Sequence, residues 1–212
     1  MKIFCVGLNY NEHIKEMKHF SFPESPVIFM KPPTALLKNG QPFYYPDISK
    51  EVHYEGEIVL RVCKNGKKID RKFAHKYYDA FTLGFDFTAR DLQADLKKKG
   101  WPWEIAKGFD GSAFIGDFIP LEHNKKISFT IKKNNEIVQQ GDTTMLIFSF
   151  DEIIAYISQY FTLQQGDLIY TGTPQGVGAV GIGDLLEGFV GDTTLVRCAL
   201  PIIGRASCRE RV

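Results

Sequence analysis

The sequence predicts a strand-rich α+β fold in one domain. Three observations carry that reading: strand-type apolar segments outnumber helical ones, most follow one another without an intervening helix, and no internal repeat or composition break divides the chain. With 212 residues, 44% apolar and 24% charged, the composition is ordinary for a globular protein. The length suffices for one substantial core, so disordered and collagen-like readings drop out.

The elements follow in order. Ile3 to Gly7 is a short apolar run read as a first strand, and residues 9–18 read as a polar, exposed helix. Pro23, Pro26, Pro32, Pro33, Pro42 and Pro46 punctuate the next stretch, where only residues 27–30 have strand character; ordered loop of this kind tends to carry sites. Residues 52–63 form the longest predicted strand and 80–87 another, after which 88–98 continue as a helix until Gly100 and Pro102 stop it. Residues 127–132 and 137–140 flank Lys133-Asn134-Asn135-Glu136, a hairpin turn whose two Asn tolerate the left-handed conformation. Ser149-Phe150-Asp151-Glu152 is a capping box, and Ile153, Ile154, Tyr156, Ile157, Tyr160 and Phe161 then mark an amphipathic helix. Residues 168–170, 185–190 and 194–200 close the fold as strands, the last two joined through Gly191-Asp192.

Counting 26 Lys and Arg against 25 Asp and Glu gives a formal charge of +1, so no global field recruits nucleic acid or an anionic membrane. No apolar run approaches the ~18 residues of a bilayer span, and Met1-Lys2-Ile3-Phe4-Cys5 leads into polar sequence rather than a signal-peptide core. The expected location is the cytoplasm, with neither membrane nor nucleic acid as partner. Cys5, Cys63, Cys198 and Cys208 lie far apart without a CxxC pair, which points to reduced thiols. Residues 203–212, Ile203-Gly204-Arg205-Ala206-Ser207-Cys208-Arg209-Glu210-Arg211-Val212, resemble a translated sequencing adaptor and are set aside, leaving 1–202 as the catalytic domain. Without that tail three Arg and one Glu are lost, and the formal charge moves from +1 to −1.

The strongest chemical signal is His53-Tyr54-Glu55-Gly56-Glu57 at the head of the long strand, because a period of two puts residues 53, 55 and 57 on one face. Two carboxylates side by side ask for a cation or for solvent, and an exposed strand face would use the same letters. Asp86, at the end of an apolar strand between two Phe, is costly to bury without a cation, or else caps the following helix. Three carboxylates without Cys select a hard ion, Mg²⁺ or Mn²⁺ over Zn²⁺. His13 and Glu16, three apart on a helix, have the layout of a general base and its orienting carboxylate; a surface pair would look alike. Lys107 follows Trp101, Pro102, Trp103 and Ile105, so its ammonium rises from apolar surroundings or snorkels to the surface. Arg90, on the turn after Asp86, and then Arg61 are candidates for a substrate's distal carboxylate. Gly176-Val177-Gly178-Ala179-Val180-Gly181 satisfies GxGxxG, yet Ile182-Gly183-Asp184 supplies turn residues where a dinucleotide fold needs a helix, so that reading is rejected.

The chain resembles the fumarylacetoacetate hydrolase superfamily, close to its compact acylpyruvase and oxaloacetate decarboxylase branch, over about residues 3–200. The matching stretches are Val6-Gly7-Leu8-Asn9-Tyr10 with His13 and Glu16, Phe29-Met30-Lys31-Pro32, His53-Tyr54-Glu55-Gly56-Glu57, Asp86 through Gln93, Lys107-Gly108-Phe109-Asp110 and Gly172-Thr173-Pro174-Gln175-Gly176-Val177-Gly178. The resemblance implies a mixed β-roll, a homodimer, and a Mg²⁺ or Mn²⁺ ion held by Glu55, Glu57 and Asp86. It further implies that Lys107 faces the reacting oxygen, that Gln93 and Thr173 hold the substrate, and that the helix bearing His13 and Glu16 closes over it. The expected reaction is C–C hydrolysis of acylpyruvates or decarboxylation of oxaloacetate through a pyruvate enolate, with isomerisation or tautomerisation of related 2-oxo acids as the alternative and a non-catalytic acid-binding homologue as a second. Leu8 departs from the family, which often has Arg there, and that leaves the substrate open.

Overall fold

The computed structural model describes residues 1–12, 22–123 and 125–201. His13, Glu16 and the adaptor-like tail lie outside the described residues. The strands are β1 (Ile3–Gly7), β2 (Val27–Lys31), β3 (Leu36–Lys38), β4 (Val52–Tyr54), β5 (Gly56–Val62), β6 (Tyr78–Asp86), β7 (Thr88–Ala89), β8 (Ala113–Ile115), β9 (Ile119–Pro120), β10 (Ser128–Lys133), β11 (Glu136–Asp142), β12 (Leu168–Tyr170), β13 (Gly178–Ala179), β14 (Leu185–Val190) and β15 (Thr193–Ala199). Among the described residues, the helices that bear on the site and core are α1 (Arg90–Lys99), α2 (Glu104–Lys107) and α3 (Phe150–Tyr160). This is the strand-rich α+β architecture expected.

The largest sheet runs β2-β1-β12-β5-β6-β8-β3, with β9 added beside β6; a second runs β11-β10-β14-β15 and a third β13-β4-β7. Pairing is mixed, because β1 with β12 and β3 with β8 are parallel while the other pairs are antiparallel. Period-two alternation divides the large sheet's side chains. Ile58, Leu60, Leu83 and Phe85 face Phe129, Ile131, Leu186 and Val196 of the second sheet in the main core, whereas Ile3, Cys5, Val59, Leu168 and Tyr170 form a smaller cluster.

Local signals explain most of the elements. Asn134 and Asn135 take φ of 52° and 70° between β10 and β11, the two left-handed residues a tight hairpin requires. Ser149 caps α3 with its reciprocal partner Glu152, as the capping box predicts. Ile153, Ile154 and Ile157 are fully buried beneath it, each contributing roughly 1.5–3 kcal/mol. Tertiary context overrides propensity elsewhere. Thr88 and Ala89 pair with β4 instead of starting the helix, β3 adds a strand to the proline-rich stretch, and Glu104–Lys107 form a short helix the sequence did not signal.

The predicted continuous strand over 52–63 is corrected. It breaks at Glu55, so β4 belongs to the three-stranded sheet and β5 to the large one. Gly56 lets the chain pass under the hairpin at this junction: a Cβ there would stand 2.6 Å from Ile131 Cγ1 and 2.9 Å from Gln139 Oε1. Its amide instead donates to Gln139 Oε1 at 2.9 Å.

A candidate metal centre between the sheets

The break places Glu55 at a seam between two sheets, Glu57 begins the large one, and Asp86 ends the neighbouring strand. Asp86 N–H donates to the Glu55 carbonyl at 2.9 Å, so the backbone ladder itself sets these two carboxylates side by side. One oxygen from each of Glu55, Glu57 and Asp86 lies within 4.8 Å of the others, and all three residues are buried. The three-carboxylate convergence expected from the sequence is present. His53 is not part of it, because its ring turns to Glu51 at 2.8 Å.

Cations surround the cluster. Lys107 Nζ donates to Glu55 Oε2 at 2.7 Å and to Asp86 Oδ2 at 3.1 Å. Arg90 donates to Glu55 Oε1 at 2.7 Å and to Gln93 Oε1 at 2.7 Å, and Thr88 Oγ1 donates to Glu55 Oε1 at 3.1 Å. Glu57 accepts from the Gly172 amide at 2.7 Å. Gly172 has φ of +104°, and a Cβ there would stand 2.7 Å from Asn9 Cβ, so only glycine presents this N–H here. Thr173 Oγ1 donates to the Gly56 carbonyl at 3.0 Å and accepts from Gln139 at 2.9 Å.

Sequence reasoning assigned no role to Lys31, which is the most deeply placed of these cations. Only 2% exposed, its ammonium lies 2.7 Å from Asp86 Oδ1 and donates to the carbonyls of Phe87, Ser112 and Lys107 and to Ser112 Oγ. A lysine closing an otherwise apolar strand, Val27–Lys31, was the available signal. Asp86 Oδ1 touches that ammonium without a well-aligned hydrogen bond, and no hydrogen-bond donor satisfies it.

One pocket gathers the pieces. Its lining includes Glu55, Glu57, Asp86, Arg90, Gln93, Lys107 and Thr173, which are the predicted site residues among those described with Arg61 excepted, together with Lys97, Leu8, Phe29 and Trp103. Lys107 Nζ stands 5.2 Å from the Phe29 ring centroid, and Trp103 meets Phe29 edge-on. Trp101 and Ile105, expected to shield Lys107, are instead 57% and 62% exposed. Arg61 is outside the pocket, paired with Asp79 at 3.0 Å on an exposed face.

The electrostatics are those of a cation site. Burial, then the Asp86 and Glu55 carboxylates, push the Glu57 pKa well above its ordinary range, against weaker opposition from the Gly172 amide and Lys107. Burial alone would lower Lys107, but Asp86 and Glu55 together outweigh it and hold the ammonium above the usual lysine value. An all-carboxylate donor set with an unsatisfied buried oxygen fits a hard divalent ion. A carboxyl whose pKa is higher folded than unfolded keeps its proton more tightly in the folded state, so this group's stabilisation is lost as pH rises above the ordinary Glu value. The thermal midpoint shift produced by Mn²⁺ over EDTA should therefore grow from pH 5 to pH 8. At about 100 times the dissociation constant it should reach ~5–10 °C at the upper end. A shift that is independent of pH, or absent, would contradict the assignment.

Residues 2–212 match the family described as fumarylacetoacetate (FAA) hydrolase, C-terminal. The chain is 40% identical over 190 residues to the mitochondrial oxaloacetate tautomerase FAHD1 of Bos taurus, covering 87% of this chain and 85% of that protein. Among solved structures it resembles fumarylpyruvate hydrolase from Pseudomonas aeruginosa in complex with Mn²⁺ and pyruvate, with TM-score 0.87 and 36% identity over 94% of this chain and 90% of that one. It also resembles 5-carboxymethyl-2-hydroxymuconate delta-isomerase from Mycobacterium smegmatis, with TM-score 0.83 and 30% identity over 96% and 80%. Among the described residues no helix is long and apolar enough to cross a membrane.

Proposed function

The chain belongs to the fumarylacetoacetate hydrolase family, and from that premise we propose that it is a divalent-metal-dependent enzyme acting on small 2-oxo acids. The reaction is C–C hydrolysis of acylpyruvates or decarboxylation of oxaloacetate, with tautomerisation or isomerisation, which some relatives carry in their names, as the alternative. The single observation carrying the reading is the buried convergence of Glu55, Glu57 and Asp86. We take residues 1–202 as the catalytic domain and set residues 203–212 aside for their likeness to a translated adaptor.

Glu55, Glu57 and Asp86 would hold Mg²⁺ or Mn²⁺, which supplies Lewis-acid attraction for the electrons of a 2-oxo acid. Lys107, fixed by Glu55 and Asp86, offers a positive charge to the oxygen that becomes negative as the bond breaks. Arg90 and Gln93 line the approach and orient the substrate's carboxylate, and Thr173, whose hydroxyl is fixed between the Gly56 carbonyl and Gln139, helps hold the substrate from the pocket lining. Leu8, Val27, Phe29 and Trp103 cover one wall and exclude water from the carbon chain. His13, oriented by Glu16, activates the water that attacks the distal carbonyl in hydrolysis. Loss of CO₂ from oxaloacetate needs no such water. The working form is a homodimer, a reading supported by the apolar face formed by Met30, Pro32, Ile48, Ile105 and Phe109.

His13→Ala should accordingly lower acetylpyruvate hydrolysis by ~10²- to 10⁴-fold and oxaloacetate decarboxylation far less, measured side by side with Mg²⁺ present and with EDTA as control. Equal losses would move His13 to the proton transfer both reactions share. Absence of metal-dependent turnover on acetylpyruvate, oxaloacetate and a 2-hydroxydienoate would overturn the enzymatic reading.

A further inference from the structure

Among the described residues, the second sheet supplies no side chain to the pocket lining, yet one of its residues reaches the frame behind that lining. Gln139, on β11 and only 2% exposed, uses its whole amide. Oε1 accepts from the Gly56 N–H at 2.9 Å, and Nε2 donates at 2.9 Å both to Thr173 Oγ1 and to the Pro174 carbonyl. The partners force that orientation, since the reversed amide would set its NH₂ against an N–H and its oxygen against a carbonyl. A position that needed only volume would hold an apolar side chain, because a buried amide is costly unless its donors and acceptor are all met.

The partners belong to the site. Gly56 stands in the chain between Glu55 and Glu57, and Thr173 lines the pocket directly after Gly172, whose amide Glu57 accepts. Thr173 Oγ1 in turn donates to the Gly56 carbonyl at 3.0 Å. A closed circuit results, from Gly56 N–H to Gln139, from Gln139 to Thr173, and from Thr173 back to the Gly56 carbonyl. The hydroxyl has a second acceptor within reach, the Pro174 carbonyl at 3.4 Å, and Gln139 Nε2 occupies that carbonyl as well as the Thr173 oxygen. It thereby removes the alternative and leaves the hydroxyl one arrangement. The loop is also pressed onto β11 one residue away: Gly176 has φ of +94°, and a Cβ there would collide with the Val138 carbonyl.

Resting on the function proposed above, we propose that Gln139 is a positioning residue for the 2-oxo acid: it holds Thr173 at a fixed distance and orientation from the strand that carries Glu55 and Glu57. It does not line the pocket, so it acts on the substrate only through Thr173 and the main chain. The second sheet thus sets how the substrate-holding wall faces the carboxylates.

The test is a cycle of four proteins, wild type, Gln139→Met, Thr173→Ala and the double variant, assayed on acetylpyruvate with Mg²⁺ saturating. Gln139→Met should raise KM by roughly 3- to 10-fold, the range of one hydrogen bond, and in the Thr173→Ala background it should move KM by less than about 2-fold, because the residue it acts through is gone. A merely structural role reads differently, since partial unfolding shrinks the active fraction and lowers kcat without moving KM. Calorimetry of pyruvate on the Mn²⁺-loaded proteins supplies a reading without turnover, and the dissociation constant should follow the same pattern. Should Gln139→Met not fold, Gln139→Glu at pH 9 takes its place: its carboxylate keeps an acceptor for Gly56 and has no proton for Thr173, and the same rise is expected. An unchanged KM and dissociation constant, or effects that simply multiply in the double variant, overturn the inference even if turnover is robust. Should no substrate turn over while pyruvate binding still depends on Gln139 through Thr173, the chemistry proposed above fails and this assignment stands.

Discussion

Glu57→Gln is expected to fold, to melt no lower than the wild type in EDTA, and to lose metal-dependent turnover altogether. The amide keeps the shape of the side chain, and its oxygen still accepts from the Gly172 amide. What disappears is a buried negative charge beside Asp86 and Glu55, whose repulsion and desolvation are the reasons its pKa is raised. Removing an uncompensated charge from a core does not destabilise it. Replacing one of three carboxylate ligands should weaken Mn²⁺ binding by at least the ~10- to 100-fold typical of lost outer contacts to a metal site. The thermal shift with Mn²⁺ should shrink in parallel. Full activity in this variant would end the metal assignment.

Lys31→Met is expected to act on the fold as strongly as Glu57→Gln acts on the chemistry. The ammonium is buried against Asp86 and three main-chain carbonyls, so methionine fills the volume while stranding acceptors that no water reaches. Breaking a buried ion pair on one side costs ~3–5 kcal/mol, which for a domain of this size is a fall in thermal midpoint on the order of 10 °C. Part of that fall should be recovered by Mn²⁺, which returns positive charge to Asp86. A midpoint within a degree of wild type would show that Lys31 is not needed to keep Asp86 in place.

The three carboxylates were legible because their signals are local. Glu-Gly-Glu at a strand start and Asp86 between two Phe each pose a charge-burial problem that only a cation or water resolves, and the family blocks supplied the order. The hairpin at Asn134-Asn135 and the capping box at Ser149 were legible for the same reason, since each rule acts within four residues. The break at Glu55 was not. It follows from Ile131 and Gln139 crossing over Gly56, a contact between segments more than 70 residues apart. Lys31 and Gln139 escaped notice for a related reason: nothing in their immediate neighbours shows that Lys31 will meet Asp86 or that Gln139 will bridge Gly56 and Thr173. Lys97, one of three consecutive lysines, was assigned no role, although its spacing from Arg90 and Gln93 places it on their face of α1 and it lines the same pocket.

The carboxylates hang from main-chain ladders deep between sheets, whereas Lys97 stands on the outer turn of a helix whose neighbours Lys98 and Lys99 are exposed. The backbone ladders fix where the carboxylates stand, whereas a residue on an outer helical turn can be exchanged without touching that arrangement. Descendants of such a scaffold are thus free to drift toward new acids by altering one side of the doorway, keeping the same electron-accepting heart throughout.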